Sequence, residues 1–407
     1  MMEINADLHM HGLYSGGVSN RMVPKVIGEQ APLKGLDLVG TADVLNERWI
    51  KLLKEQLKNE NEMLVHPNGT KFILQTEVED NHRVHHVILI PSFSKVYELR
   101  EKFKKYANLD TDGRPKIHLN GEEIAEIVLE SGCLIGPAHA FTPWTAIFKE
   151  YDSLRECYGE YTDKIHFLEL GLSADTNLAD KITDLHRLTF LSNSDAHSPW
   201  PNKMGREFNR FKVKEISFEE IKKALKREGG RGCILNVGLN PKEGKYHLTR
   251  CMNCLLFFKL EDAERFGWRC PNCGKPIKKG VYDRIQELAD LKEPEHPEHR
   301  PQYIHTIPLS EIISLALGIK NVYSKQVQDT WEKIIGVFGN EIKVLIEVGF
   351  DDLNKVNQKV AEMIKAFRED KINYIPGGAG VYGKILLPGK NPKIKYYKFR
   401  QKSLKDF

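Results

Sequence analysis

Residues 4–11, Ile4-Asn5-Ala6-Asp7-Leu8-His9-Met10-His11, alternate apolar and polar side chains and end in three groups that favour metal ions. Alternation of period two marks a half-buried strand, and residues two apart in a strand share a face. His9 and His11 therefore leave the strand end on the same side. A lone His-x-His is a weak signal, because a surface or core pair gives the same spacing. Here the pattern returns downstream. Glu77 closes an apolar run, His82, His85 and His86 stand before another, and His139 ends a third. Asp195 and His197 repeat the two-apart spacing in Ser192-Asn193-Ser194-Asp195-Ala196-His197.

Outward from this segment, the strand pattern covers Ile4–His9, Leu36–Thr41, Lys71–Val78, His86–Pro91, Cys133–Ala138, Ile165–Leu170 and Leu188–Ser192. Helix-like stretches such as Trp49–Asn59, Ser94–Ala107, Gly121–Ser131 and Ser217–Glu228 accompany them. Strands alternating with helices predict an α/β fold with mainly parallel strands, and seven such strands fit a slightly irregular β/α barrel better than an open sheet. Chemistry in such a barrel sits at the mouth formed by the C-terminal strand ends. The metal-type residues occupy such positions although nearly 190 residues separate the first from the last.

Imidazole with carboxylate suits zinc, manganese or iron. A carboxylate shared by two ions sets up hydrolysis of a phosphate ester, since the pair activates water and neutralises the attacking and leaving oxygens. No Ser-His-Asp order and no phosphate-binding glycine–lysine loop competes with this reading.

Farther along, Cys251-Met-Asn-Cys254 and Cys270-Pro-Asn-Cys273-Gly274 have the spacing of a structural four-cysteine zinc ribbon. Lys292–Tyr303 is rich in proline and charge and reads as a stiff linker; its His296 and His299 are read as linker residues, not ligands. Leu309–Leu317, Val327–Phe338 and Leu353–Phe367 read as helices, followed by the glycine-rich turn Gly377–Gly383. The expected organisation is a catalytic barrel over 1–240, the ribbon over 241–291, a mainly helical region over 292–390 and a basic tail over 391–407.

The segments DLHMH, QTEVE, HHVILI, GPAHA and SNSDAH resemble the successive motifs of the polymerase-and-histidinol-phosphatase (PHP) superfamily. By that resemblance His9 and His11 bind one ion, His86 and His139 a second, with Glu77 and Asp195 as shared or first-ion carboxylates. His9, His11, Glu77 and Asp195 would then be the catalytic group, and Asp7 would orient a histidine from behind. A third ion would use His197, but Asp43 stands where the family has histidine and the loop Leu13–Gly17 offers no matching ligand, so that ion is either missing or held more weakly by Asp43 and His197. The choice between His85 and His86 stays open. Two or three divalent ions (zinc, manganese or magnesium) are expected besides the ribbon zinc.

The order of barrel, ribbon and helical region, with GLNPKEGKYH, HRPQYIHTIPLSEII and IPGGAGVYGK, resembles the endonuclease Q family across essentially the whole chain. That resemblance implies cleavage 5′ of uracil, hypoxanthine, xanthine or an abasic site in single- or double-stranded DNA, leaving 3′-hydroxyl and 5′-phosphate. A mispaired deaminated base is easily extruded into a pocket. The Tyr14–Asn20 loop with Tyr14 and Ser15, the segment Phe141–Trp144 with Trp144, and the Gly377–Gly383 turn with Tyr382 are the expected lesion contacts.

Of 407 residues, 60 Lys+Arg stand against 56 Asp+Glu, a balance too mild to show a nucleic-acid partner by itself. Basic clusters at Lys203–Lys214, Lys222–Arg231 and Lys393–Lys402 are candidate DNA contacts. Gln401, Leu404 and Phe407 resemble a sliding-clamp-binding box. No apolar run approaches the roughly 18 residues that span a bilayer, and the N-terminus has no secretory pattern, so a cytoplasmic protein without a membrane partner is expected. A phosphomonoesterase acting on a small molecule and a non-catalytic DNA-binding scaffold are the rival readings.

Overall fold

The computed structural model describes residues 1–60 and 62–397. All the expected strand segments form, most of them shortened at the ends: β1 (Met2–Asp7), β2 (Leu38–Gly40), β3 (Lys71–Glu79), β4 (His85–Ile90), β5 (Leu134–Pro137), β6 (Phe167–Glu169) and β7 (Thr189–Leu191). Three more follow, β8 (Phe208–Val213), β9 (Gly232–Gly238) and β10 (Gln302–His305). A hairpin of Lys58–Glu60 and Met63–Val65 lies beside β3. Hydrogen bonding gathers all of these except β6 and β7 into one ten-stranded sheet.

The sheet is mixed, which corrects the expectation of mainly parallel strands. β1–β2, β2–β3, β6–β7 and β9–β10 are parallel. β1–β8, β8–β9, β3–β4 and β4–β5 are antiparallel. The reason is local. Only the short turn Asp80–Val84 joins β3 to β4, too short for the crossover that a parallel pair needs. A parallel bridge between Met10 and Ala196 ties the segment after β1 to the segment after β7.

Helices pack outside the strands because their apolar faces leave no other place for them. Gly121–Glu130 begins with a capping box in which Asn120 and Glu123 satisfy each other's backbone N–H groups. Ser217 caps Phe218–Lys226, which buries Phe218, Ile221, Ala224 and Leu225. The C-terminal helices Leu309–Leu317, Lys325–Phe338, Phe350–Val356 and Gln358–Arg368 share their own core around Ile312, Ile334, Leu353 and Ile364. The helix expected over Leu353–Phe367 is broken at extended Asn357, whose side chain caps the second piece.

The proline-rich stretch is not a free spacer. Arg300 is buried, and its guanidinium meets Asp180 at 2.9 Å, while His296 Nδ1 lies 2.7 Å from the same carboxylate. The stretch then enters the main sheet as β10. Among the described residues, no helix is long and apolar enough to cross a membrane.

Candidate active site

Most of the metal-type side chains converge where β1, β3, β4, β5 and β7 end or begin. His9 and His11, just past β1, place their Nε2 atoms 3.6 and 3.3 Å from the two oxygens of Glu77 on β3. His85 Nδ1 and His139 Nε2 each lie 3.0 Å from Glu77 Oε1. Asp195 Oδ1 stands 3.1 Å from His11 Nε2 and 3.9 Å from His9 Nε2. Two triads therefore share Glu77, one with His9 and His11 and one with His85 and His139. A further triad joins His11, Asp195 and His197. His139 and Asp195 have positive φ, 29° and 48°, the sort of backbone cost that persists where surroundings over-determine it.

His86, expected to be a ligand, is elsewhere. β4 starts one residue earlier than the apolar run suggests, and cross-strand register pairs Glu79 with His85 and Val78 with His86. Alternation then puts His85 on the face of Glu77 and Glu79 and turns His86 to the other face. There His86 Nδ1 meets Tyr158 OH at 2.7 Å and its Nε2 meets Asp80 Oδ2 at 3.3 Å.

Behind the rim, carboxylates orient the imidazoles. Asp43 Oδ1 meets His11 Nδ1 at 3.0 Å, and its other oxygen accepts from Gly12 N–H and the Ser15 hydroxyl. Asp43 is thus engaged behind His11 and is not placed to hold an ion with His197. Asp7 does not orient a histidine either. It accepts the backbone N–H groups of Ser194 and Gly205 and the Ser194 hydroxyl, and so anchors the loop that carries Asp195. The partner of His9 is Glu169, 2.9 Å from Nδ1, which the sequence reading missed. The available signal was a lone carboxylate closing the apolar run Ile165–Leu170. Glu169 is held in turn by Asn193 Nδ2 at 3.0 Å and accepts the His139 backbone N–H at 3.1 Å. Arg114, also missed, brings Nη1 to 3.3 Å from Glu77 Oε2.

The electrostatics follow. Burial alone would raise Glu77, yet His85, His9, His11 and His139 hold it well below the usual carboxylate range. Burial would lower His9, but Glu169, Glu77 and Asp195 bring it up to about 9. Asp195 is held below its ordinary value against burial by His11, His9 and His139. Within this cluster His9 Nε2, His11 Nε2 and Asp195 Oδ1 are buried and make no hydrogen bond. Lone pairs left unpaired and aimed at one point fit the residues to divalent cations.

The expected lesion contacts separate into two kinds. Ser15 is buried on Asp43 and unavailable to a substrate. Tyr14 is half-buried, edge-on to Trp49, with the Arg48 guanidinium 4.4 Å from its ring centre. Trp144 and Tyr382 are exposed. Trp144 lies beside Tyr246 with Lys278 Nζ 3.9 Å from its ring, and Lys245 covers Tyr382.

In the ribbon, Arg250–Cys251 and Ile277–Lys278 form a short antiparallel pair. Cys251 and Cys273, and Cys254 and Cys270, place their sulfurs 3.5 Å apart, and the four sulfurs lie within 4.8 Å of one another. Four thiols so disposed fit one tetrahedral ion. Gly274 takes φ 70°, closing the second knuckle. Of the basic clusters, Arg210 is engaged by Glu347 and Arg231 by Glu220. Lys398, Arg400, Lys402 and the clamp-like segment Gln401–Phe407 lie outside the described residues.

Residues 308–371 match the model of the MJ0043 C-terminal domain. The uncharacterized protein MJ0043 of Methanocaldococcus jannaschii is 49% identical over 286 residues, 69% of this chain and 35% of that protein, so the chain spans about a third of that relative's length. The crystal structure of the lesion-specific endonuclease PfuEndoQ from Pyrococcus furiosus is 50% identical, with a TM-score of 0.92 over 95% of this chain and 96% of that one. A complex of endonuclease Q with a 27-mer duplex carrying an abasic lesion at the active site gives 50% identity and a TM-score of 0.90 over 95% of this chain and 97% of that one. The mixed α/β fold and the histidine–carboxylate rim define an enzyme of the metal-dependent nuclease class. Within that class, the chain belongs to the endonuclease Q family.

Proposed function

We propose that this chain is a DNA repair endonuclease that hydrolyses the phosphodiester 5′ of a deaminated base or an abasic site, leaving 3′-hydroxyl and 5′-phosphate. The observation that carries the reading is the meeting of His9, His11, Glu77, His85, His139 and Asp195 at one rim, where His9 Nε2, His11 Nε2 and Asp195 Oδ1 are unpaired. Similarity over nearly the whole length to a lesion-specific endonuclease supplies the substrate class. His9, His11, Glu77 and Asp195 would hold one divalent ion, and Glu77, His85 and His139 a second. His197 with His11 and Asp195 offers a third position. Bound there, zinc, manganese or magnesium would activate water and offset phosphate charge. Asp43 and Glu169 keep the Nε2 lone pairs of His11 and His9 facing inward. Arg114 brings a fixed positive charge to the edge of the rim.

On this reading the strands β1–β7 act as a closed irregular barrel, an arrangement supported by the Met10–Ala196 bridge. Residues 1–240 form the catalytic unit, 241–291 a zinc ribbon, 292–390 a helical region, and the tail engages a sliding clamp. Trp144 and Tyr382, exposed beside lysines, serve as lesion-side contacts.

The test is incubation with duplexes carrying uracil, hypoxanthine, an abasic site or normal bases, with and without divalent ions. A metal-dependent nick on the 5′ side of the lesion alone is expected. Hydrolysis of a nitrophenyl phosphate with no nick in any duplex would sink the reading.

A further inference from the structure

On the face of β4 turned away from the rim, three more metal-type side chains meet. Asp80 follows β3, His86 stands second in β4, and Cys157 comes from helix Leu154–Tyr158. His86 Nε2, Asp80 Oδ2 and Cys157 Sγ lie within 4.8 Å of one another, and all three side chains are buried. The set shares no residue with the rim triads or with the ribbon.

Each group is held so that one donor atom points inward. Asp80 Oδ1 is occupied, accepting the backbone N–H groups of His82 and Val84 at 2.8 Å, which leaves Oδ2 for the cluster. Tyr158 OH, 2.7 Å from His86 Nδ1, fixes the ring from behind, as the outer partner of a metal-bound imidazole does. The buried thiols of Cys133 and Cys233 meet backbone carbonyls, whereas Cys157 Sγ has no hydrogen-bond partner among the described residues. Gly121 leaves it room, since a methyl group there would stand 2.5 Å from Cys157 Sγ.

Spacing separates an ion site from a simple hydrogen bond. His86 Nε2 and Asp80 Oδ2 are 3.3 Å apart, while the contacts that orient His9 and His11 through Nδ1 are 2.9 and 3.0 Å. The longer value equals that between His11 Nε2 and Glu77 across the rim. Zinc bonds to nitrogen and oxygen of roughly 2.0–2.1 Å, set at the tetrahedral angle, put those two atoms about 3.3 Å apart. One carboxylate and one thiolate also cancel the charge of a divalent ion, which burial demands.

We propose that Asp80, His86 and Cys157 form a structural zinc site, separate from the rim and from the ribbon. Binding releases the Cys157 thiol proton to solvent, and the thiolate selects zinc over magnesium or manganese. Tyr151, near enough to Asp80 and Cys157 to feel both charges, borders the fourth position. The ion pins the turn between β3 and β4 to helix Leu154–Tyr158. Neighbouring histidines on one strand then serve different ions, His85 at the rim and His86 behind it.

The experiment counts zinc in the full chain by mass spectrometry after dialysis against zinc-free buffer. Cys157→Ala is expected to lose one equivalent, Cys270→Ser another, and the double variant two. Tyr158→Phe should give up the same equivalent to a chelator roughly 10–100-fold more readily. Cys157→Ala should nick a lesion duplex at the parent rate, because the lost ion is not a rim ion. Zinc content equal to the parent in a folded Cys157→Ala chain overturns the site, and so does loss of zinc together with loss of nicking, which would give the ion to the rim. If that variant does not fold, crystals of the parent chain decide by anomalous scattering at the zinc edge. A peak about 2.3 Å from Cys157 Sγ and about 2.0–2.1 Å from His86 Nε2 is expected. A peak at the ribbon with none here reduces Asp80 and His86 to a hydrogen-bonded pair. Should the parent chain fail to nick, the nuclease reading falls while the zinc count still judges this site.

Discussion

At the scale of single residues, the rim works because carboxylates stand behind its imidazoles. Glu169 and Asp43 pin His9 and His11 through Nδ1. Glu169→Gln should therefore lower metal occupancy or nicking rate by about 10–100-fold with the fold intact, read by metal analysis and single-turnover kinetics. A neutral result in both would show that His9 needs no anchor. The pair His85 and His86 separates position from chemistry. His85→Ala should depress cleavage at least as much as losing an outer partner does. His86→Phe should spare cleavage but strand Asp80 Oδ2 and Tyr158 OH, costing about 1–3 kcal/mol in urea denaturation. Equal loss of cleavage in both variants would refute the register argument. The sequence left this pair open because adjacent histidines differ only in which face they take, and one residue of strand extension settles that. Glu169 was hidden differently, since its partner is 160 residues away and a lone carboxylate at the end of an apolar run does not say what it faces. Glu207 supplies a pH signature. Burial pushes its carboxyl up to about 8, with Glu169 and Asp7 adding to the rise while the Leu239 N–H and Arg206 oppose it. The folded state thus prefers the protonated acid. That contribution is fully present below pH ~4.5 and is lost as pH rises through about 8, by up to about 1.4 kcal/mol per unit. Glu207→Gln should flatten the decline between pH 5.5 and 8. Parallel stability curves for variant and parent would contradict it.

Among elements, the ribbon is the piece whose fold depends most directly on an ion. Its own core is small, with Phe258, Ala263 and Ile277 packed around Cys251 and Cys270. A core that size cannot hold itself together, so an ion held by the four thiols would supply the folding energy. Cys270→Ser should remove one equivalent of zinc and loosen hydrogen-exchange protection across 250–278 while leaving protection of β3 and β4 unchanged. Retained zinc would show that three thiols suffice. The clustering of the four cysteines was legible because its spacing is local: both pairs are short, and the turn residues Pro271 and Gly274 mark the second. Strands β8, β9 and β10 were not legible to the same degree. β8 reads Phe208-Asn-Arg-Phe-Lys-Val213, where charged residues interrupt the apolar pattern, and β10 lies directly after prolines that suggest a linker. Its pairing with β9 is a long-range contact that no local pattern announces.

Across the whole molecule, the main sheet with its flanking helices and the C-terminal helices are joined by buried charge. The sequence shows two hydrophobic regions separated by a proline-rich stretch, but not that Arg300 and Lys34 sew them together. Such pairs join residues far apart in sequence, and each member alone looks like an ordinary surface ion. Lys34 and Glu341 are both buried, 2.6 Å apart, and Glu341 also accepts from the Leu309 N–H and the Trp331 indole. A buried pair is weak evidence for stability, because desolvation offsets its attraction, yet breaking it leaves one charge stranded. Lys34→Met should therefore destabilise by about 3–5 kcal/mol, and Glu341→Gln alone should strand the lysine at similar cost. The double variant should cost less than the sum of the two single changes, because the introduced amide oxygen still accepts from the Leu309 N–H while the thioether chain fills the space of the lysine stem. Urea denaturation of the four proteins closes the cycle, and a coupling energy of about 2–3 kcal/mol is expected for groups in direct contact. Additive single effects would mean that the two charges act independently. The hold between the sheet and the C-terminal helices would then rest more on the Asp180–Arg300 strap and the β9–β10 pairing.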